Sequence, residues 1–334
     1  MPNTDVPHTM RAWRVTTLGE PADALTLDEV ETPAPADGEV LIRVAAVAAN
    51  FPDVLLARGQ YQVKPELPFI PGVECSGTVV RIGAGVADFS VGDRVVAGRI
   101  GVLAEYVAVE AASVHAIPDD FGFVAASGLS IAYQTAWFAL HRRARLRAGE
   151  WLLVHAAAGG VGAAAVQLGV AAGARVIGVV GSEAKAAVAR GAGAEHVILR
   201  SDDIVGEVKR ITGGHGADVV FDPVGGPAFA ASTRSVAFEG RIVVIGFASG
   251  EIPKLAVNHA LVKNYAVLGL YWGLYQERLP KLVDEAHDAL IGLFEEGRID
   301  PVVDHVVPFE RAPDAITALA TGATVGRVVI EVAA

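Results

Sequence analysis

The chain has 334 residues, 52% of them hydrophobic, with a formal charge of −11 and a single cysteine, Cys75. That length and apolar content suffice for two domains with separate cores. The acidic balance, with no basic stripe, argues against nucleic-acid or anionic-membrane partners, and one cysteine excludes an intrachain disulfide and a cysteine-rich zinc site.

Residues 1–10 have no apolar core of signal-peptide length, so a soluble, cytoplasmic protein is expected. From residue 1 to about 121 the pattern is β-rich. Apolar or alternating runs fall at 10–16, 40–46, 77–82, 94–97 and 105–109, divided by Pro33, Pro35, Pro68, Gly72, Gly83, Gly85 and Gly92. Short strands between such turn signals predict a small barrel-like or sandwich-like domain. Residues 125–141 then read as a helix and 142–149 as a basic connection.

Residues 151–185, WLLVHAAAGGVGAAAVQLGVAAGARVIGVVGSEAK, read as strand, glycine turn, helix, strand and polar loop. The turn is Ala157-x-Gly159-x-x-Gly162, with alanine at the position of the usual first glycine. Within a βαβ unit this spacing predicts a dinucleotide site. The backbone of Ala158, Gly159, Gly160 and Val161 would approach a pyrophosphate, whose charge suits a helix N-terminus, while Gly162 lets the helix close on the strand. Residues 151–174 carry no charged side chain, but Ala and Gly dominate them and no membrane span is expected.

NAD binders usually carry an acid about 20 residues beyond the glycines. Here that position falls among Val179, Val180 and Gly181, and Ser182, Lys185 and, after a third apolar run, Arg200 follow. A hydroxyl, an ammonium and a guanidinium suit a dianionic 2′-phosphate, each charge-assisted bond contributing roughly 1.5–3 kcal/mol. The plain alternative is that Lys185 and Arg200 are solvated cations, and Glu183 opposes a phosphate. NADPH is preferred over NADH.

Alternation continues with helix 186–190, strand 196–199, helix 204–212, strand 217–222, helix 228–238, strand 241–246 and strand 265–270. Six strands with intervening helices predict an α/β fold with a doubly wound parallel sheet. Apolar residues at Leu279, Leu282, Val283, Ala286, Leu290, Leu293 and Phe294 mark an amphipathic helix over 279–296. Strand character returns at 302–307 and 325–332, so the chain is expected to end in its first domain. The expected division is 1–126 with 273–334, and 127–272.

Six motifs now stand in order: Asn50-Phe-Pro-Asp53, Arg58-Gly59-Gln-Tyr61, Leu67-Pro-Phe-Ile-Pro71-Gly72-Val-Glu74, Gly92-Asp93-Arg94-Val95, Ala157-Ala-Gly-Gly-Val-Gly162 and Gly181-Ser182. Together they resemble the zinc-independent, zeta-crystallin-like quinone oxidoreductases of the medium-chain dehydrogenase/reductase superfamily. The resemblance runs from about residue 10 to 332. Residues 261–275 look most like the quinone oxidoreductase-like branch. The resemblance implies a GroES-like β-rich catalytic domain, a Rossmann domain and an active site in the cleft between them.

It also implies roles. Alcohol dehydrogenases of the superfamily place a cysteine at the position of Asn50 and a histidine at that of Val73, and a four-cysteine lobe near residues 98–104. None of these ligands is present here, so no metal is expected. Without a Lewis acid, hydride transfer to an already electrophilic quinone or enone is the expected chemistry. Tyr61 would donate a proton or line the cleft, an unperturbed phenol with pKa ~10 being protonated at neutral pH. Asn50 would orient substrate or nicotinamide. Ser130, in place of a common threonine, would reach a cofactor phosphate, and Gly246, Phe247, Leu270, Tyr271 and Trp272 would flank the nicotinamide, with Arg327 a further contact. Arg200 replaces a frequent tyrosine or histidine. Asp53 is read as structural, bonded to backbone or to Arg58. The alternatives are an enoyl-thioester reductase, with Arg58, Arg99 and Lys263 for the phosphates of CoA, and a non-catalytic NADPH-binding protein. A homodimer through residues 255–270 is expected.

Overall fold

The computed structural model describes residues 6–332, so residues 1–5 of the leader reading lie outside it. The chain divides into two units, Met1–Ile131 with Val303–Ala334, and Ala132–Val302. The first unit opens with β1 (Thr9–Val15), β2 (Leu25–Glu31), β3 (Glu39–Ala48), β4 (Glu74–Ile82), β5 (Arg94–Gly98), β6 (Tyr106–Glu110) and β7 (Val114–Ala116). β1 and β2 form an antiparallel ribbon, and β3 pairs with both β4 and β6 in a seven-stranded sheet. Val40, Ile42 and Val44 of β3 alternate onto a core with Val79, Val95, Val107 and Ile330. Burying each such side chain contributes roughly 1.5–3 kcal/mol.

Among the elements of this unit absent from the sequence-based pattern are β2, β7 and two helices, Phe51–Ala57 and Ala312–Ala320. β2 is largely polar (LTLDEVE) and β7 has only three residues, too few to show a period. The helix Phe51–Ala57 does carry a start signal, with Asn50 at the N-cap, proline in the first turn and Asp53 at the third position.

The second unit contains β8 (Trp151–His155), β9 (Arg175–Val180), β10 (His196–Leu199), β11 (Ala217–Asp222), β12 (Val236–Val244) and β13 (Ala266–Gly269). All six are parallel, in the order β10-β9-β8-β11-β12-β13. The order reverses between β8 and β11, which puts the ligand crevice of such sheets at their carboxyl ends. Leu153, Ile177, Val179, Ile198, Val220 and Ile242 meet in one core.

Two expectations need correction. The predicted helix 228–238 is Gly226–Ser235, and Val236 already begins β12. Val236 pairs with Ala217, and a register shift then brings Arg241 opposite Val219, an irregularity that hides the strand from a periodic reading. The predicted division also assigned 273–302 to the first domain, whereas those residues belong to the second unit. There the helix Pro280–Glu295 buries Val283, Ala286 and Leu290, and Gln167 exchanges hydrogen bonds of 2.7 and 3.0 Å with the backbone of Asp300.

After this unit β14 (Val303–Pro308) and β15 (Arg327–Glu331) rejoin the first sheet, β15 pairing antiparallel with β3. Among the described residues one helix, Phe123–Arg143, is long and apolar enough to cross a membrane by composition, and 72% of that window is buried, as in a core helix.

Candidate functional site

The glycine turn is made by close approach. A Cβ at Gly162 would lie 2.0 Å from the carbonyl oxygen of Ala156, so only glycine fits under the first turn of the helix Gly160–Ala171. Gly159 is its N-cap, and the N–H groups of Gly160, Val161 and Gly162 belong to the helix end that has no intrahelical acceptor. Ala157 and Ala158 are buried. The alanine at the first glycine position is accommodated from β9, where a Cβ on Gly178 would stand only 2.9 Å from the Ala157 methyl. The methyl occupies space that another glycine leaves open.

At the adjoining strand ends the structure gathers the second predicted group. Ser182 caps the helix Glu183–Gly191, its Oγ accepting from Lys185 N at 3.4 Å. Arg200, just past β10, donates its N–H to Val180 O (2.7 Å), and its guanidinium reaches within 3.7 Å of where a Gly181 Cβ would be. Gly181, Ser182, Lys185 and Arg200 therefore share the carboxyl ends of β9 and β10. Gly246 and Phe247 follow the end of β12, and Leu270 N donates to Val244 O (3.1 Å) beyond β13. Tyr271 is exposed, while the Trp272 indole is buried and donates to Gln134 Oε1 at 3.0 Å.

In the first unit the organising group is Glu74, which the sequence did not single out. It is completely buried at the start of β4. Its Oε1 accepts from Asn50 Nδ2 (2.8 Å) and Arg327 Nη1 (2.9 Å), and its Oε2 accepts from Ile131 N (2.6 Å). Ile131 lies in a wide π-helical turn, Leu129–Tyr133, within the longer helix, and its N–H bonds outside the helix, to Glu74. Asn50 Nδ2 also donates to Ala48 O (2.9 Å), so both amide hydrogens are used and only its Oδ1 is left, as an acceptor. Gly128 makes room for the cation, since a Cβ there would lie 1.8 Å from Arg327 Nη1. Asn50, Ser130 and Arg327 are thus assembled in one region; Tyr61 stands half-buried in the bend that follows the helix Phe51–Ala57.

Burial dominates the titration of this region. It raises the Glu74 carboxyl, opposed by Arg327, the Ile131 N–H and Asn50. Glu74 is ionised beside Arg327, because a guanidinium keeps its proton and a lone buried cation costs more than the pair. Asp53 is pushed up to about 7, first by burial and also by the Glu74 charge. Its Oδ2 accepts from Asn50 N (2.8 Å), the backbone alternative of the two considered, and Arg58 instead pairs with Glu20 (2.7 and 2.9 Å). In the second unit His155 is buried against Ser232 Oγ (2.9 Å), and burial lowers its pKa while Asp222 opposes that. Asp222 Oδ1 ties down Val224 N and Gly225 N at the end of β11.

The donor set does not fit zinc. Val73 offers no ligand atom, Asn50 is held by the bonds above, and no group of three or more His, Cys, Asp or Glu among the described residues is arranged for a metal. A nicotinamide dinucleotide fits better. Gly159 leaves the helix N-terminus open, since a Cβ there would meet only Ala156 O at 3.4 Å, and Ser130 Oγ and Arg327 Nη2 are buried donors with no hydrogen-bond partner, the kind of group that a polar ligand or water satisfies.

Comparison with known proteins agrees with this architecture. The alcohol dehydrogenase GroES-like domain family matches residues 36–119, and the zinc-binding dehydrogenase family matches residues 160–288. The chain is 37% identical to quinone oxidoreductase-like protein 2 homolog of Nematostella vectensis, over 96% of this chain and 88% of that one. Among solved structures, a mycobacterial protein complexed with NADPH superimposes with a TM-score of 0.91 at 32% identity, over 97% of this chain and 100% of that one. The CurK enoyl reductase gives a TM-score of 0.87 at 26% identity, over 97% and 99%. With this fold, this glycine turn and relatives matched along nearly its whole length, the chain belongs to the quinone oxidoreductase-like branch of the medium-chain dehydrogenase/reductase superfamily, a family of nicotinamide-dependent oxidoreductases.

Proposed function

We propose that the protein is an NADPH-dependent reductase that delivers hydride to a quinone or an α,β-unsaturated carbonyl without a metal. The observation that carries this reading is the set of donors beyond β9, where Ser182, Lys185 and Arg200 follow Gly181 and no carboxylate ends the strand. When bound, the reduced nicotinamide supplies the hydride. The protein binds the pyrophosphate at the Gly159–Gly162 turn and the 2′-phosphate at Ser182, Lys185 and Arg200. Asn50 orients through its Oδ1, and Tyr61 holds a proton at its phenol oxygen for the reduced acceptor.

A small acceptor is favoured over an acyl-CoA because the three cations suited to CoA phosphates are already engaged. Arg58 pairs with Glu20, Arg99 donates to the carbonyls of Ile100 and Ala108, and Lys263 Nζ donates to those of Thr233, Arg234 and Val236 at 3.0–3.2 Å. Fluorescence titration should show NADPH bound at least about tenfold more tightly than NADH. Stopped-flow oxidation should proceed with 1,4-quinones or short enones. Oxidation by crotonyl-CoA alone would support the enoyl-thioester alternative, tight binding without oxidation the non-catalytic one, and stoichiometric zinc would end the metal-free reading.

We also propose a homodimer. β13 is the edge of its sheet, and Val257, Leu261 and Val262, just before it, are about three-quarters exposed. An open strand edge flanked by apolar residues is a pairing surface. Light scattering at micromolar concentration should give the mass of two chains, and a monomer would contradict the proposal. A cytoplasmic location is likewise proposed, from the acidic composition and single cysteine; fractionation of the cells that make it tests this.

A further inference from the structure

Glu74 takes no part in the proposed hydride transfer, yet it holds three donors from three distant segments of the chain. We infer that Glu74 is a positioning residue that sets the hydrogen-bond polarity of the candidate site, turning Asn50 into an acceptor and fixing which N–H groups of Arg327 are left to donate. This deepens the proposed function and rests on it.

An asparagine side chain is ambiguous, since a half-turn about its last bond exchanges an oxygen for an NH2. Here the exchange is blocked. Asn50 faces Ala48 O at 2.9 Å and Glu74 Oε1 at 2.8 Å, and both can only accept, so the NH2 must face them. The group that Asn50 has left to offer is therefore a carbonyl, which would accept from a hydroxyl or amide N–H of a bound nicotinamide riboside or acceptor. The same Oε1 takes Nη1 of Arg327 at 2.9 Å and leaves Nη2 buried with no partner. Ile131 N on Oε2, at 2.6 Å, fixes the carboxylate and holds the turn that carries Ser130. A glutamine at this position cannot reproduce the pattern. Its NH2 would face Ile131 N–H, or else face Asn50 and Arg327, and Asn50 would then turn its oxygen inward.

The test uses the full-length protein with Glu74→Gln, Asn50→Ala and the double variant, and three readouts. In the cofactor-free protein, NMR follows exchange of the Asn50 side-chain NH2 protons, assigned by their loss in Asn50→Ala. Glu74→Gln should speed that exchange at least about tenfold. With NADPH and a quinone, each single variant should lower kcat about 10- to 100-fold, the worth of one charge-assisted hydrogen bond, with less change in the acceptor KM. The double variant should fall well short of the product of the two single losses, because Glu74 acts in part through Asn50. Should Glu74→Gln not fold, Glu74→Asp keeps the charge opposite Arg327 but draws the carboxylate back, and the same faster exchange is expected.

Unchanged Asn50 exchange in either Glu74 variant, or a double variant as poor as the product of the singles, overturns the inference. Failure of the functional reading looks different. The wild-type protein would then neither bind NADPH by fluorescence nor oxidise it, while the exchange measurement would still decide the role of Glu74.

Discussion

Around Glu74 the first unit brings a carboxylate, a guanidinium and a carboxamide together, each of them buried. The second unit makes its turn from Ala156 to Gly162 with backbone and methyl groups alone. The first arrangement is a set of charges that are tolerable only as a set. The second is a neutral fit, sensitive to one added carbon and indifferent to charge. A ligand region can thus be built by mutual neutralisation or by close approach, and the two should fail in different ways.

The widest gap between them should appear on removing one charge. Arg327→Met leaves Glu74 buried with no cation, and the loss should be about 3–5 kcal/mol in urea unfolding of the cofactor-free protein. A loss below about 1 kcal/mol, the worth of an exposed pair, would break the contrast.

Acidity should sharpen it next. The folded pKa of Asp53, about 7, lies above its ordinary value of 3.8, so its contribution is complete below about pH 4 and is lost as the pH rises through 7. Stability should fall over that window by up to about 4 kcal/mol, and Asp53→Asn should flatten the profile. Chemical unfolding at a series of pH values measures this, and a parallel profile in the variant would contradict it.

At the strand ends of the second unit the expected effects are smaller and specific to the ligand. Arg200→Ala and Lys185→Ala should each weaken NADPH by about 10- to 100-fold, with NADH little changed. Equal losses for both nucleotides would remove the 2′-phosphate assignment.

The smallest effect concerns Ala157. Gly178→Ala sets two methyl carbons about 2.9 Å apart and should cost about 1–3 kcal/mol by overpacking. Adding Ala157→Gly should recover most of that loss. Independent, additive effects in thermal melts would show that the pair is not coupled.

Much of the second unit was legible because its signals are local. The glycines, the first two apolar runs and the missing acid after β9 lie within 35 residues, and each later strand is its own short apolar run, so periodicity and spacing were enough for the turn and for the existence of six strands. The misplacement of Val236 shows the limit, since a register shift breaks the period on which such reading depends. In the first unit Asn50 and Arg327 were picked out by resemblance. Glu74 was quoted only as part of a motif, and no local rule marks a glutamate in an apolar strand as the hub of a buried network.

The amino-acid order by itself determined the strands of the second unit, the α/β class and the cofactor-type turn, because those follow from interactions among residues a few positions apart. Only tertiary structure decided that Glu74 holds Arg327, 253 residues away, and Asn50, 24 away, and that residues 273–302 join the second unit. The physical reason is that a buried charge selects its partners by distance in space, and chain separation carries no information about that distance until the sheets have formed.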